Sequence, residues 1–251
     1  MRSEEFISFL MDGCKNDADL DKLRMGVPLG QDTAGNVIYS QKREKPYTFR
    51  HTCVTGIRKT VFIKRLLVTL SCLYEKSEAN FLILSPRTEY GELLRLHNVD
   101  MTVPFVRLHS DLEMAKKCVQ ELLALHEREK GCPRLILVLD GLDELPDSNK
   151  NGDLEEYRAF FELITRRTDV EIISGAQLMK SIFSGYPGAF VGVGNCLVTT
   201  REDGRADVTY VNDDSSLSLP TMMTFPDTPS LTETVILLNA LPTANGTDEA
   251  D

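Results

Sequence analysis

The sequence contains no run of apolar residues close to the roughly 20 that a membrane-spanning helix needs. The segment from Met1 to Gly13 also lacks the basic start and the small-residue cleavage site of a signal peptide. The chain has 251 residues, of which 42% are hydrophobic and 26% are charged, and this is enough to bury a substantial core. We therefore expect a soluble globular protein.

No Cys-x-x-Cys pair is present among the six cysteines, which are scattered along the chain. Several of these cysteines lie in apolar runs, and the four histidines have no metal-binding spacing. We therefore predict buried free thiols in a reducing cytoplasm rather than disulfides or a metal site.

Basic residues are absent from the last part of the chain. Residues 206–251 contain eight acidic side chains and no Lys or Arg, so they account for −8 of the formal net charge of −10. A protein with this charge balance is poorly suited to hold a polyanion by counterion release, which argues against a nucleic-acid partner. We expect residues 242–251 to form a disordered acidic tail.

The chain does contain a regular alternation of apolar strands and amphipathic helices. A helix is predicted before residue 27, and a β-hairpin over Val27–Tyr39 with its turn around Gly35. The predicted strands that follow are 49–54, 80–85, 105–108, 134–140, 170–174 and 196–200, and the predicted helices are 60–74, 89–96, 111–130 and 153–167. This order predicts an α/β protein with a mostly parallel central sheet flanked by helices.

The first motif that could carry chemistry is Cys53-Val-Thr-Gly-Ile-Arg-Lys-Thr60, between a predicted strand and a long predicted helix. A phosphate-binding loop has this location and the consensus Gly-x-x-x-x-Gly-Lys-Ser/Thr. In such a loop Lys59 would contact the β- and γ-phosphates, and Thr60 would bind Mg²⁺. Cys53 and Arg58 replace the two consensus glycines, and a β-carbon at either position obstructs the close approach of phosphate to the backbone.

The second motif is the apolar strand Leu135–Leu139 followed by Asp140. A carboxylate at the end of a buried strand is where a P-loop ATPase holds Mg²⁺. In many such enzymes a catalytic Glu follows directly, whereas here Gly141 follows and acidic residues return only at Asp143 and Glu144.

Together these segments resemble ATPases of the FtsK/SpoIIIE type. That family has a Leu-Gly-x-Asp-x-x-Gly hairpin, matched here by Leu29–Gly35, and an Asp-Pro-Lys segment, matched by Ser85-Pro-Arg87. His109-Ser-Asp111 is similar to the family's Thr-Asp helix start, and Ile172–Gln177 to its polar sensor strand. The order and spacing of these motifs, over residues 27–209, make the resemblance fairly specific.

The resemblance implies a RecA-like P-loop NTPase domain over residues 27–241, after an N-terminal helix and linker at 1–26 and before the tail at 242–251. It implies that ATP and Mg²⁺ bind if the site is functional, and that neither binds otherwise. The implied nucleotide-binding residues are Thr55, Gly56, Arg58, Lys59, Thr60 and Gln177. The implied metal ligands are Thr60 and Asp140, and the implied catalytic residues are Asp140 and Glu144.

The departures from the motifs make the chain most similar to the degenerate, terminal ATPase domains of EssC/EccC proteins, the coupling ATPases of type VII secretion. That resemblance implies a cytoplasmic pseudo-ATPase, reaching a membrane only through other parts of a longer protein. It also implies sister ATPase domains or subunits, and the C-terminal signal of secreted substrates, as partners.

Two alternatives remain open at this stage. One is an active ATP-hydrolysing motor that translocates protein or DNA. The other is a signalling NTPase of the NACHT type, whose corresponding motif is similar to Leu139-Asp-Gly-Leu-Asp-Glu-Leu145.

If the chain is instead a pseudo-ATPase that acts through protein contacts, we predict a partner-binding patch in residues 179–190. This segment is apolar but is broken by Gly and Pro, which is typical of a binding loop or short helix. The patch consists of Met179, Ile182, Phe183, Tyr186 and Phe190.

Overall fold

In the computed structural model of this protein, strands of the described residues pair into a ten-stranded β-sheet. The structure describes residues 26–40, 50–74, 76–85, 88–104, 113–114, 116–121, 124, 134–141, 170–175, 196–211 and 216–225. Several predictions lie outside these residues: the helix before residue 26, the helix 153–167, the acidic tail, Glu144, Gln177 and the whole predicted partner-binding patch.

The strands run in the spatial order β2-β1-β10-β9-β8-β3-β7-β6-β4-β5. Their bounds are β1 Pro28–Gln31, β2 Val37–Tyr39, β3 Arg50–Gly56, β4 Ala79–Ser85, β5 Val99–Pro104, β6 Arg134–Leu139, β7 Val170–Gly175, β8 Cys196–Thr200, β9 Arg205–Tyr210 and β10 Thr221–Thr224. Helix α1 is Lys59–Leu73, and a 3₁₀ helix covers Thr88–Arg95. Residues 113–114, 116–121 and 124, within the predicted helix 111–130, are helical.

Six of the strands form the parallel part of the sheet, from β8 through β3, β7, β6 and β4 to β5. The central strands β6 and β7 are buried along almost their whole length, as expected for strands covered on both faces. Strand β5, Val99–Pro104, was not predicted, and the predicted strand 105–108 lies outside the described residues.

The other four strands are antiparallel, so the sheet is mixed, although its larger part is parallel, as predicted. Strand β9 returns from β8 through the turn at Arg201–Gly204, and β10 pairs with β9. The N-terminal hairpin β1–β2 then adds to β10, with Gln31 opposite Thr224. Strands β9 and β10 were not predicted. The predicted hairpin is confirmed, and it extends the main sheet.

The turn of the N-terminal hairpin is held by one aspartate. Asp32 Oδ1 accepts hydrogen bonds from the backbone N–H groups of Ala34 (2.8 Å) and Asn36 (2.9 Å), and Oδ2 accepts one from the Asn36 side-chain amide (2.9 Å). These bonds favour the charged carboxylate, so they lower the pKa of Asp32 below its usual value of 3.8, with the side chain of Asn36 as the largest cause.

Helix α1 packs its apolar side chains into the core beside the parallel strands. Phe62, Ile63, Leu66, Leu67 and Leu70 are all buried, and Phe62 meets Phe225 edge to face at 5.3 Å between ring centroids. Tyr74 adopts an extended conformation and ends the helix. Because α1 follows β3 after two residues, its N-terminus lies at the carboxyl edge of the parallel strands, where ligands bind in open α/β sheets.

Candidate functional site

Asp140 is the centre of a buried polar cluster at this edge of the sheet. Its side chain is fully buried, directly after β6. Oδ2 accepts hydrogen bonds from the Thr60 hydroxyl (2.7 Å) and the Tyr90 hydroxyl (2.9 Å), and Oδ1 lies 3.4 Å from Lys59 Nζ. A buried carboxylate needs such partners because water cannot solvate it. The structure therefore brings together Lys59, Thr60 and Asp140, as the two sequence motifs predicted.

Lys59 and Thr60 are the first two residues of α1, so the N-terminus of this helix supplies two of the partners of Asp140. Arg58 is the N-cap residue and makes no side-chain capping hydrogen bond, and the first helical turn contains no acidic residue. The first N–H groups of a helix have no acceptor within the helix. Together with Lys59 they form an end of positive potential that suits an anion.

The connection between β3 and α1 is shorter than the motif predicts. Strand β3 continues through Gly56, with Gly56 opposite Thr200 of β8, and only Ile57 and Arg58 link it to the helix. Cys53 is a buried strand residue opposite Ser174 on one side and Leu197 on the other. The expectation that Cys53 begins the phosphate loop is therefore corrected, because the sheet extends over the first half of the motif.

Gly56 has a structural reason to be glycine that is unrelated to phosphate. Its φ is +101°, a value that side-chain-bearing residues rarely adopt, and a β-carbon on it would lie 2.1 Å from the carbonyl oxygen of Thr200. The Thr200 hydroxyl also donates a hydrogen bond to the Thr55 carbonyl oxygen (2.9 Å). The end of β3 and the end of β8 are thus in close contact.

Gly175, at the end of β7, leaves room for the charged pair. A β-carbon there would lie 3.0 Å from Asp140 Oδ1 and 3.3 Å from Lys59 Nζ. Strand β7 lies between β3 and β6. Its last residue therefore has to be small for Lys59 to cross towards Asp140. Gly175 belongs to the predicted polar sensor strand Ile172–Gln177, of which Gln177 lies outside the described residues.

A second set of polar side chains lies deeper in the same strands. His51 Nε2 and Ser174 Oγ are 2.6 Å apart, and both residues are buried. Burial raises the pKa of the Cys53 thiol to about 12, although the hydrogen bond with Ser174 and the charge of Lys59 oppose the shift. Cys53 is therefore a protonated, unreactive thiol at neutral pH. Of the described cysteines, all of which are free, Cys53 and Cys196 are buried as predicted, whereas Cys72 and Cys118 are only partly buried.

On the other side of the start of α1 a cleft is lined by four arginines. They come from the helix and from the β8–β9 turn, and they are Arg58, Arg65, Arg201 and Arg205. Arg201 pairs with Asp207, and Arg205 with Asp203. None of the described residues that line the cleft is acidic, so the lining is cationic and suits an acidic ligand or protein segment.

The donor atoms present fit Mg²⁺ and phosphate only in part. The Thr60 hydroxyl and the Asp140 carboxylate are the hard oxygen donors that Mg²⁺ prefers, and Lys59 with the α1 N-terminus could hold a phosphate. The backbone cradle is supplied only in part, because Cys53–Gly56 belong to β3 and leave Ile57, Arg58 and the first N–H groups of α1. Among the described residues no group of three or more His, Cys, Asp or Glu could form a further metal site.

The sequence analysis missed one member of the cluster, Tyr90. A tyrosine two residues into the short helix after β4 was visible, but nothing in the pattern placed its hydroxyl on Asp140. Of the predicted nucleotide-binding residues, Thr55, Gly56 and Arg58 lie at the end of β3 and the start of α1. Gln177, and the predicted catalytic residue Glu144, lie outside the described residues.

No family model and no curated protein matches the sequence. Solved structures do share its fold. A protein named only as an ATPase is 12% identical with a TM-score of 0.58, over 90% of this chain and 94% of the other. The cytoplasmic domain of the type VII secretion ATPase EccC from Thermomonospora curvata is 15% identical with a TM-score of 0.60, over 88% of this chain and 31% of the other.

A third structure contains ATPases 2 and 3 of Thermomonospora curvata EccC in complex with a signal sequence peptide. It is 12% identical with a TM-score of 0.55, over 86% of this chain and 43% of the other. The chain therefore spans less than half the length of these EccC structures. These similarities show that the chain shares its α/β fold with domains of type VII secretion ATPases. No described helix is long and apolar enough to span a membrane.

Proposed function

We propose that this chain is a degenerate FtsK/SpoIIIE-like ATPase module of the type VII secretion kind, which acts through protein contacts and binds nucleotide weakly or not at all. The observation that carries the proposal is the extension of β3 to Gly56. A phosphate cradle needs several successive backbone N–H groups directed at one anion. Here Cys53–Gly56 pair with β8 instead, which leaves only the two-residue link and the first turn of α1 to supply N–H groups.

A protein-contact role is supported by the side chains at the link. Ile57 is 72% exposed and Val61, on the first turn of α1, is 45% exposed. The arginine-lined cleft lies next to them and includes both Arg58 and Val61. An apolar tip beside a cationic cleft suits a protein partner with acidic residues around an apolar anchor.

The EccC structures suggest who the partners are. One of them contains ATPases 2 and 3 of EccC in complex with a signal sequence peptide. By analogy, we propose sister ATPase domains and the C-terminal signals of secreted substrates as partners, in the cytoplasmic part of a secretion protein. The predicted patch of Met179, Ile182, Phe183, Tyr186 and Phe190 remains a second proposed contact surface.

The test is an assay of ATP hydrolysis by the purified chain and by Lys59→Ala, together with capture of tagged sister ATPase domains. We expect turnover far below 1 s⁻¹, the low end of the usual enzyme range, and no difference between the two proteins. Binding of a sister domain should be unaffected by ATP. A turnover near 1 s⁻¹ that Lys59→Ala abolishes would reject the pseudo-ATPase proposal.

A working ATPase is the second candidate, and the convergence of Lys59, Thr60 and Asp140 favours it. In that case these residues would bind the phosphates and Mg²⁺, with Glu144 as a proposed catalytic residue. The NACHT-like alternative would also use Asp143 and Glu144, outside the described residues. Both alternatives predict tight Mg-ATP binding, whereas the interaction module does not.

A further inference from the structure

One side of helix α1, with its N-cap residue, borders the arginine-lined cleft. The residues that do so have the spacing i, i+3, i+4 and i+7, and they are Arg58, Val61, Phe62 and Arg65. Residues with this spacing share one side of a helix. Lys59, one position further on, is rotated by about 100° and reaches Asp140 instead. Arg58 and Lys59 therefore face different sides of the helix start.

The charge of Arg58 is available to a ligand. Its side chain is exposed, and no carboxylate of the described residues pairs with it. Across the cleft, Arg201 and Arg205 differ in this respect, because each already forms an ion pair with an aspartate of the β8–β9 turn or of β9. A guanidinium has five N–H donors in a planar fork that matches a carboxylate. Arg58 can therefore take a carboxylate from outside the chain.

The surface beside Arg58 is apolar. Ile57 precedes it in the chain, Val61 shares its side of the helix, and both side chains are exposed. A guanidinium between exposed apolar side chains suits a ligand that offers a carboxylate and an apolar group together. A protein segment in which Asp or Glu lies beside an apolar residue has both. A polyphosphate would use the charge alone, and the formal net charge of −10 repels polyanions.

We propose that Arg58 binds a carboxylate of an acidic protein segment in this cleft, while an apolar residue of the same segment packs on Ile57 and Val61. The side chain that replaces the second consensus glycine of the phosphate loop thereby belongs to a protein-binding site. The inference rests on the proposed function, since it names the contact through which the interaction module acts and the chemistry of its partner.

The experiment is fluorescence anisotropy with the whole chain and a short labelled peptide that alternates glutamate with leucine. The same peptide with glutamine in place of glutamate tests the need for charge, and tripolyphosphate is the competing anion. The variants are Arg58→Gln and the matched control Arg95→Gln, because Arg95 is also exposed but lies in the 3₁₀ helix and does not line the cleft. Calorimetry measures Mg-ATP binding by the same proteins.

We expect Arg58→Gln to weaken binding of the glutamate peptide about fivefold or more, and Arg95→Gln to change it less than about twofold. The glutamine peptide should bind the wild type and Arg58→Gln equally weakly. The inference is overturned if the wild type does not bind the glutamate peptide, if the two substitutions have equal effects, or if tripolyphosphate binds more tightly than the peptide. Each of these results can occur while Mg-ATP binds as weakly as the proposed function requires.

Two further results separate the other occupants of the cleft. Tight Mg-ATP binding by the wild type that Arg58→Gln weakens overturns the proposed function and assigns Arg58 to a nucleotide. Sedimentation velocity tests for a second copy of the chain. Self-association of the wild type that Arg58→Gln abolishes, with Arg95→Gln unchanged, overturns the inference of a separate acidic partner.

Discussion

Gly56 and Thr200 lie opposite each other at the ends of two neighbouring parallel strands, so close that a β-carbon on Gly56 would come within 2.1 Å of the Thr200 carbonyl oxygen. This contact fixes where β3 ends and how little chain is left to reach α1. The same glycine sits inside a sequence motif that resembles a phosphate loop. Its requirement for glycine therefore follows from strand packing and a φ of +101°.

Replacement of Gly56 by Ala should destabilise the fold markedly. The new β-carbon adds both an unfavourable positive φ and a collision with backbone, so we expect a loss of about 2–4 kcal/mol in the free energy of unfolding. Gly35→Ala is the matched control, because Gly35 has a φ of +87° but no atom within 4 Å of a β-carbon. It should lose only about 1–2 kcal/mol. Equal losses in urea denaturation would show that the contact with Thr200 carries no cost.

Replacing Cys53 and Arg58 by the consensus glycines, one at a time, tests separately the half of the motif that lies in β3 and the half at the link to α1. Cys53→Gly removes a buried side chain from β3, so it should cost about 1–2 kcal/mol of stability without raising nucleotide affinity. Arg58→Gly acts at the two-residue link, where a backbone N–H can be freed, and any gain in affinity should come from this change alone. Calorimetry on the two single variants and the double variant decides. A gain from Cys53→Gly alone would mean that the end of β3 opens to form a cradle.

The exposed side chain of Ile57 should contribute to partner binding. Ile57→Ser changes a residue that is 72% exposed, so stability should stay within about 0.5 kcal/mol, while capture of sister ATPase domains should fall. Leu219→Ser is the control, since Leu219 is 89% exposed near β10, away from the link. If both variants, or neither, lose capture, the link is not the contact surface.

The hairpin turn should respond to acid through Asp32. The pKa of Asp32 is lowered from 3.8, mainly by the side-chain hydrogen bond of Asn36, so Asn36→Ala should move it back towards 3.8 in a carboxyl-carbon NMR titration. A lowered pKa means that the folded state favours the charged carboxylate. Its contribution to stability is therefore present above the unfolded pKa and is lost as pH falls through the folded pKa. An Asp32 pKa unchanged by Asn36→Ala would contradict this assignment.

The positions of Asp140, Lys59 and Thr60 could be predicted from the sequence, because each lies at the end of an apolar strand or at the start of the helix that follows one. Asp140 follows a continuous apolar run, and Lys59-Thr60 begins a long apolar helix directly after a strand. Because parallel strands present their carboxyl ends at one edge, these residues were expected to meet, and they do. The N-terminal hairpin could also be predicted, because Asp32 and Gly35 are residue types that favour a turn.

The end of β3 and the place of the Tyr90 hydroxyl could not be predicted, because they depend on contacts between elements that are distant in the sequence. Strand β3 was predicted to end at residue 54, because Thr55-Gly56 carry no strand pattern, and pairing with β8 extends it. The position of the Tyr90 hydroxyl depends on the 3₁₀ winding of its helix, which changes which side chains face inward. Strand β9 does alternate apolar residues (Ala206, Val208 and Tyr210) with polar ones, but it was not predicted, because the sequence after Arg201 is mostly polar.

The measurement that tests the central claim most directly is the calorimetric titration of Mg-ATP into the wild-type chain. The account predicts a Kd of about 1 mM or weaker, which corresponds to roughly −4 kcal/mol at most, because Lys59 and one helix N-terminus hold the phosphates without a cradle. A Kd of about 1 μM, near −8 kcal/mol, that is lost in Lys59→Ala would contradict it and would identify a working nucleotide site.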